Sequence, residues 1–124
     1  MEIVVSQAQG EVPVTVFYLK GRVNLGTAYE LEEKAQEAYK NGTRHLLIDL
    51  AGVESLTSAG LRALLAIYKL LAGETAAEGK EAVKSPYLKL LNPPPFIHRV
   101  LNTSGFDRFI EVYDDPQLAV ASFG

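Results

Sequence analysis

Residues 45–65, HLLIDLAGVESLTSAGLRALL, contain a change from strand to helix near the middle of the chain. Residues 44–50 form an apolar run with little alternation, which is typical of a strand buried on both faces of a parallel sheet. Apolar residues then recur at helical spacing and predict an amphipathic helix. The residues expected to face the sheet are Leu61, Leu64, Leu65, Tyr68 and Leu71. Thr57 and Ser58 lie between the two patterns, where a hydroxyl can cap a helix or be modified.

Towards the N-terminus, the pattern predicts a hairpin and one helix. Residues 1–5 and 12–23 are rich in β-branched side chains and predict two strands, joined by the turn QAQGE. Thr27 and Glu30 have the spacing of a capping box. We therefore expect the first helix to begin there and to run to about Lys40.

Towards the C-terminus, helices and strands continue to alternate. Gly73 is expected to end the central helix, and the polar residues 74–86 predict a long, mobile connection. The later signals are a strand, a helix that follows a run of prolines and ends at a glycine, another strand, and a helix with an Asp-Pro start. These four signals lie at residues 87–92, 93–105, 108–114 and 115–123.

These elements predict an α/β fold in a single domain, residues 1–124, with an N-terminal hairpin, a mixed and mostly parallel sheet and about four helices. The hydrophobic fraction of 48% argues against intrinsic disorder. A net charge of -3 argues against a nucleic-acid partner, because phosphate contacts need clustered cations. The absence of cysteine excludes disulfides and thiolate metal sites.

The N-terminal sequence MEIVVSQAQG has neither the basic segment nor the apolar core of a signal peptide. No apolar run approaches the ~20 residues that a membrane-spanning helix needs. We therefore expect a cytoplasmic protein without direct membrane insertion.

Enzymatic motifs are incomplete. Leu56 stands where the nucleophile elbow G-x-S-x-G requires its first glycine, and AEGKEA lacks two elements of a phosphate-binding loop. His45 and His98 have no neighbours at metal-ligand spacing. We expect a protein that is not an enzyme and has no cofactor and no metal. A small hydrolase that uses Ser58 is a much weaker alternative, because no base or oxyanion motif accompanies it.

Asn24 and the pair Thr57 and Ser58 are predicted to meet at one edge of the sheet. Each follows a strand, and the carboxyl ends of parallel strands form the edge at which open α/β sheets carry their functional sites. Ser58 then has two interpretations. It accepts a backbone N–H and caps the helix, or it belongs to a functional surface.

The central stretch resembles the signature of the STAS domain family, the anti-sigma factor antagonists, in which an apolar strand precedes D-S-S-G-L or D-S-A-G-L. The matching residues are Leu56, Ser58, Ala59, Gly60 and Leu61. Upstream, LKGRVN at residues 19–24 resembles the family's L-x-G-x-L-D. Downstream, SGFDRFIEVYDD at residues 104–115 resembles its closing motif. Together these similarities extend over nearly the whole chain.

The resemblance implies a partner-switching role. Ser58 matches the serine that, in this family, is phosphorylated by a kinase that is also an anti-sigma factor. The unmodified antagonist binds this kinase and frees the sigma factor, the phosphorylated form is released, and a metal-dependent Ser/Thr phosphatase restores it. The residues expected to contact the partner are Asn24, Thr57, Ser58, Ala59, Gly60 and Arg62.

Three departures from the family pattern keep a second function open. Asn24 and Thr57 stand where the family often has Asp, and the connection at residues 74–86 is longer than usual. Some STAS domains act without phosphorylation, as scaffolds or as lipid-transporter-associated subunits, and there Ser58 would only cap its helix. A homodimer is also left open by the sequence.

Overall fold

The computed structural model describes residues 1–73 and 84–124 of the chain. Within these ranges the strands and helices follow the predicted order, which confirms the α/β fold. The elements are β1 (Glu2–Gln9), β2 (Pro13–Val23), α1 (Leu25–Lys40), β3 (Leu46–Leu56), α2 (Ser58–Ala72), β4 (Leu88–Leu91), α3 (Pro95–Ser104), β5 (Glu111–Tyr113) and α4 (Pro116–Ala121). A short 3₁₀ turn, Phe106–Arg108, precedes β5.

The strands form one mixed sheet in the order β1-β2-β3-β4-β5. β1 and β2 are antiparallel, and every later pair is parallel. Successive parallel strands are joined by right-handed crossovers, so α1, α2 and α3 all lie on the same face of the sheet. Their buried side chains form the main hydrophobic core with residues such as Phe17 and Ile48. On the opposite face a smaller core surrounds Phe123, beside α4.

Strand β3 is longer than predicted. The sequence places its end at Leu50, but the strand continues to Leu56 through AGVES. The cause is pairing with β2, which extends in parallel as far as Val23 and Leu56. The final strand is shorter than predicted because it finds fewer partners. Arg108 belongs to the 3₁₀ turn, and only Glu111–Tyr113 pair with β4.

Helix α1 begins earlier than predicted. Its N-cap is Asn24, whose Oδ1 accepts hydrogen bonds from the N–H groups of Gly26 and Thr27 at 3.0 and 3.2 Å. The Thr27 hydroxyl in turn accepts from the Asn24 N–H at 3.0 Å. The predicted capping box of Thr27 and Glu30 is therefore wrong, because Thr27 is the third helical residue of a box that Asn24 starts.

The buried face of α2 is rotated from the predicted one. The helix does end at Gly73, in the left-handed region with φ of 58°, and Leu64 and Leu71 are buried as expected. Leu65, however, is 37% exposed, so its predicted place in the core is wrong. The other buried residues of the helix are Ala59, Gly60, Ala63 and Ile67. The predicted face was based on the spacing of the leucines, whereas small side chains form much of the face that packs against the sheet and α1.

Most of the predicted connection, residues 74–83, lies outside the described residues. The last part of it is held in place. Ser85 is buried, its N–H donates to the Phe109 carbonyl at 2.8 Å, and its hydroxyl accepts from the N–H groups of Tyr87 and Leu88. These contacts argue against mobility at Ser85, and the expectation of a mobile connection stays a prediction.

Lys89 is a buried cation in β4 that joins β5 and the C-terminal segment to the sheet. Its ammonium lies 2.9 Å from a carboxylate oxygen of Glu111 and donates to the backbone carbonyl and the hydroxyl of Ser122 at 3.0 and 2.9 Å. The ring of Phe123 lies 4.8 Å from the same nitrogen. A buried charge is tolerated when it is paired and fully hydrogen-bonded, as this one is.

The rotated face of α2 makes a direct prediction for stability. Leu64→Ala should lower the free energy of unfolding by about 2–5 kcal/mol, because it leaves a cavity in the main core. Leu65→Ala, on the exposed side, should cost less than about 1 kcal/mol and resemble Lys69→Ala. Urea unfolding of the three variants measures this. Equal losses for Leu64→Ala and Leu65→Ala would contradict the observed helix face.

The surroundings of Lys89 predict acid sensitivity. Its hydrogen bond holds the pKa of Glu111 below the ordinary value of 4.5. Burial and then the charge of Lys89 lower the pKa of His45 below 6.5. In both cases the folded protein binds fewer protons than the unfolded chain, so the free energy of unfolding should fall as the pH drops. His45 contributes as the pH drops below 6.5, and Glu111 contributes below 4.5.

Urea unfolding between about pH 8 and pH 4 tests this dependence. His45→Gln should flatten the fall just below neutral pH. Glu111→Gln should be less stable at neutral pH, where Lys89 loses its counter-charge, but should lose less on acidification. Parallel profiles for wild type and His45→Gln would refute the assignment.

Candidate functional site

The parallel pairing of β2 and β3 brings the predicted site residues together. Val23 and Leu56 are partners in the last rung of this ladder, so Asn24 and Thr57 follow at the same edge of the sheet. The N–H and the hydroxyl of Thr57 both donate to the Val23 carbonyl, at 3.0 and 3.2 Å. The prediction that Asn24 and Thr57 meet at the carboxyl edge is confirmed.

Thr57, and not Ser58, caps α2. The Thr57 hydroxyl accepts the N–H of Gly60 at 3.4 Å, and its carbonyl accepts the N–H of Leu61 at 2.9 Å. The capping interpretation of Ser58 is therefore wrong. Ser58 is the first residue of the helix and is exposed, and its hydroxyl has no hydrogen-bond partner among residues 1–73 and 84–124.

Gly60 allows the start of α2 to lie directly against the end of β2. A Cβ atom at this position would lie 2.8 Å from the Val23 carbonyl oxygen, 2.9 Å from the Val23 Cγ1 and 2.6 Å from a methyl group of Leu56. The first of these contacts is with backbone, which cannot rotate away. Only glycine therefore permits this separation of helix and strand.

The predicted partner-binding residues fall into two groups. Thr57, Ser58 and Arg62 are exposed, and Asn24 is half-buried, so these side chains can be reached from outside. Ala59 and Gly60 are buried beneath the first turn of α2. Direct side-chain contact with a partner is therefore excluded for Ala59 and Gly60, which instead determine where Ser58 lies.

Exposed apolar side chains near this edge were missed by the sequence analysis. Leu25, the first residue of α1, is 78% exposed, and Tyr29, one turn later, is 67% exposed. Both lie on the side of α1 that is turned away from β1, since other residues of the helix line the groove beside β1. A signal was present in the sequence, because both residues lie outside the face that contains Leu31 and Ala35.

The electrostatic environment of Ser58 favours an anion. α1 and α2 both begin at this edge, and neither has an acidic residue in its first turn. The N-terminus of a helix carries partial positive charge, and its first N–H groups have no intrahelical acceptor. Arg62 lies one turn after Ser58 and adds a full positive charge.

Residues 1–73 and 84–124 contain no group of three or more His, Asp or Glu side chains placed to bind a metal ion. No helix in these ranges has the length and apolar character needed to cross a membrane.

Comparison with known proteins agrees with this architecture. Residues 6–112 match the family described as "Mlab, STAS domain". The chain therefore belongs to the STAS domain family. It is 30% identical over 105 residues to BtrV of Bordetella bronchiseptica, which is named as an anti-sigma factor antagonist, and this match covers 85% of the chain and 82% of BtrV.

Solved structures share the fold. An anti-sigma factor antagonist from Mycobacterium paratuberculosis superposes with a TM-score of 0.77 at 25% identity, covering 98% of this chain and 92% of that one. SpoIIAA of Bacillus in its phosphorylated form superposes with a TM-score of 0.64 at 18% identity, covering 96% of each chain. The proteins similar to this chain thus include several anti-sigma factor antagonists.

The packing at Gly60 predicts opposite effects for two matched substitutions. Gly60→Ala should destabilise the protein by about 1–3 kcal/mol, because its methyl group overlaps the Val23 backbone. Gly26→Ala, in the first turn of α1, should be neutral or stabilising, since the nearest atom to its Cβ would be the Asn24 Oδ1 at 3.5 Å. Thermal unfolding of both variants measures the difference, and equal effects would contradict the close contact.

Proposed function

We propose that this protein is an anti-sigma factor antagonist of a partner-switching system and that it acts in the cytoplasm. It binds an anti-sigma factor that is also a serine kinase, is released when Ser58 is phosphorylated, and is restored by a metal-dependent Ser/Thr phosphatase. The observation that carries the proposal is the exposed hydroxyl of Ser58, which forms no hydrogen bond within residues 1–73 and 84–124 and lies in the stretch that resembles the family motif. The relationship to BtrV supports the general role.

Among the hydroxyls of this stretch, Ser58 is best suited to accept a phosphoryl group. The Thr57 hydroxyl is engaged by the Val23 carbonyl and the Gly60 N–H, and modification would break the cap of α2. Ser55 lies within β3, paired with β2, and is half-buried. A kinase can reach the Ser58 hydroxyl without disturbing either the strand or the cap.

The fold can accommodate a phosphate at Ser58. Phosphorylation adds about -1.5 to -2 charge, and a helix N-terminus is a favourable place for an anion. Arg62 and the N-terminus of α1 add positive potential, and no first-turn carboxylate opposes it. The phosphorylated protein should therefore stay folded. That SpoIIAA, which has the same fold, has a phosphorylated form is consistent with this expectation.

Release of the partner then follows from the apolar surface around Ser58. We define the Ser58 face as Leu25, Tyr29, Thr57, Ser58, Arg62 and Leu65, which are exposed side chains of α1 and α2 and of the residue that caps α2. Exposed Leu and Tyr side chains bind a partner by excluding water, and Tyr often contributes strongly to such interfaces. A docked partner would strip water from a phosphate placed among them, and Arg62 alone would not neutralise its charge of about -1.5 to -2, which disfavours the complex.

Asn24 and Thr57 differ from the acidic residues common in the family, and the structure gives each of them a capping role. Aspartate caps helices as well as asparagine and somewhat better than threonine. Asn24→Asp should therefore fold normally, whereas Thr57→Asp keeps the cap but loses the hydroxyl that donates to the Val23 carbonyl and should be somewhat less stable. Both variants restore the negative charge. If the missing carboxylates limit phosphoryl transfer, both variants should speed the labelling of Ser58 without moving the label.

The decisive test uses the partner kinase recovered from the native cell on immobilised protein. With ATP, wild type should gain one phosphate, and Ser58→Ala should gain none. Ser58→Asp should stay folded, because one acidic group at a helix N-terminus is favourable by a few tenths to about 1 kcal/mol. It should nevertheless bind the partner at least about tenfold more weakly. Thr103→Asp, which adds the same charge to an exposed position on α3, is the control and should bind like wild type.

A different result would favour the alternative function, a STAS scaffold or lipid-transporter-associated subunit without phosphorylation. If Ser58→Asp binds every native partner as tightly as wild type does, partner switching at this residue is wrong. Recovery of transporter subunits in place of a kinase would point to the same conclusion.

A further inference from the structure

Strand β1 is a long, free edge of the sheet. It contains eight residues and pairs with β2 along its full length. Its other side pairs with no strand in the described parts of the chain. The opposite edge of the sheet, β5, is only three residues long. A free strand of this length presents a row of unpaired N–H and C=O groups.

β1 lacks the features that usually prevent edge strands from associating. Its sequence, EIVVSQAQ, contains no Lys, Pro or Gly, and its pairing with β2 has no bulge. β2 and β3, by contrast, shift register twice. Successive side chains of a strand point to opposite faces, and Val4 and Val5 are 48% and 44% exposed. Each face of this edge therefore presents one accessible valine.

Helix α1 does not cover this edge. A groove of about 600 Å³ separates the hairpin from the C-terminal half of α1 and is lined by residues that include Val5, Gln7 and Ala38. A second hollow of about 380 Å³ lies beside Met1 and Ile3. Along most of β1, the helix side of the strand is thus as open as its edge.

We propose that β1 pairs with β1 of a second copy of this chain, in antiparallel orientation, and that the two sheets become continuous. β1 carries almost no charge, so a second copy can pair with it without like-charge repulsion along the strand, and the position of Glu2 selects the direction. Glu2 is the only charged residue of β1 and lies at its first position. Antiparallel pairing places the two Glu2 side chains at opposite ends of the seam, whereas parallel pairing would place them side by side.

The two-fold axis of such a pair is perpendicular to the sheet. Residues on the same face then meet across the seam, and those near the middle of β1, Val4, Val5 and Ser6, lie close to their own copies. Valine pairs directly across a sheet contribute packing that neither copy obtains alone. The proposal does not depend on Ser58, which follows the middle strand of the sheet.

Sedimentation of the full chain from about 1 to about 500 μM tests self-association. Wild type should change from monomer to dimer. Val5→Lys and Val4→Lys should each weaken the dimer by about tenfold or more, because two like charges would face each other near the axis. Leu118→Lys, at a 63% exposed leucine on α4, is the matched control and should leave the dimer intact. Circular dichroism establishes that each variant is folded.

Disulfide trapping locates the seam, since the natural chain has no cysteine. Single Cys variants at Val4, Val5 and Ser6 should include one that forms a linked dimer rapidly, whereas Leu118→Cys should not. Wild type that stays monomeric up to the highest concentration would overturn the proposal. A dimer that tolerates both Lys variants, or that is trapped equally well through Leu118→Cys, would also overturn it. None of these results depends on whether Ser58 is phosphorylated.

Discussion

The close approach of Gly60 to the carbonyl of Val23 is the contact on which the site depends. Val23 is the last paired residue of β2, and its carbonyl also accepts the N–H and the hydroxyl of Thr57. One backbone oxygen therefore fixes the end of β3, the cap of α2 and the distance between helix and strand. Because these groups are fully buried or hydrogen-bonded, the start of α2 has little freedom to move. Ser58 therefore lies on a rigid part of the fold, which would suit the proposed recognition of this residue by a kinase.

Asn24 and Thr57 both cap helices at this edge, whereas Ser58 has no capping role. Asn24 satisfies the first N–H groups of α1, and Thr57 satisfies that of Gly60. Asn24 and Thr57 also give this edge less negative charge than the aspartates common at these two positions in the family would. The consequence is an edge with two helix N-termini, one arginine and no first-turn carboxylate. Such an edge would accommodate a phosphate at Ser58 better than an acidic edge would, and the effect of the proposed phosphorylation would then lie at the surface rather than in the fold.

Local signals in the sequence predicted a large part of this structure. The glycines at 73 and 105 and the Asp115-Pro116 pair end or begin helices as expected, because such caps depend on only a few neighbouring residues. The apolar run before Asp49 correctly indicated a parallel sheet, and this placed Asn24 and Thr57 at one edge. The signals for these features lie between residues that are close together in the sequence.

The remaining features depend on partners that are far away in the sequence. The extra length of β3 comes from β2, and the burial of Lys89 is possible only because Glu111 and Ser122 neutralise and bond its ammonium. The buried face of α2 differs from the predicted one because its small residues pack closely against β2, β3 and α1. The spacing of the leucines does not reveal this packing. Which of Thr57 and Ser58 caps α2 also depends on a residue far away in the sequence. The Thr57 hydroxyl donates to the Val23 carbonyl, and the Ser58 hydroxyl does not.

The two surfaces assigned to this domain are compatible with each other. The Ser58 face lies on α1 and α2, which cover one side of the sheet, and the self-pairing edge is β1. A two-fold axis perpendicular to the sheet keeps the helices of both copies on the same side, so a dimer would present two Ser58 faces in one direction. Two such faces can engage a dimeric partner at once, and binding at the second site becomes effectively intramolecular. Phosphorylation of Ser58 in one copy would then abolish the extra affinity of two-site binding, although the other copy is unmodified. Release of the partner would therefore begin before both Ser58 residues are phosphorylated.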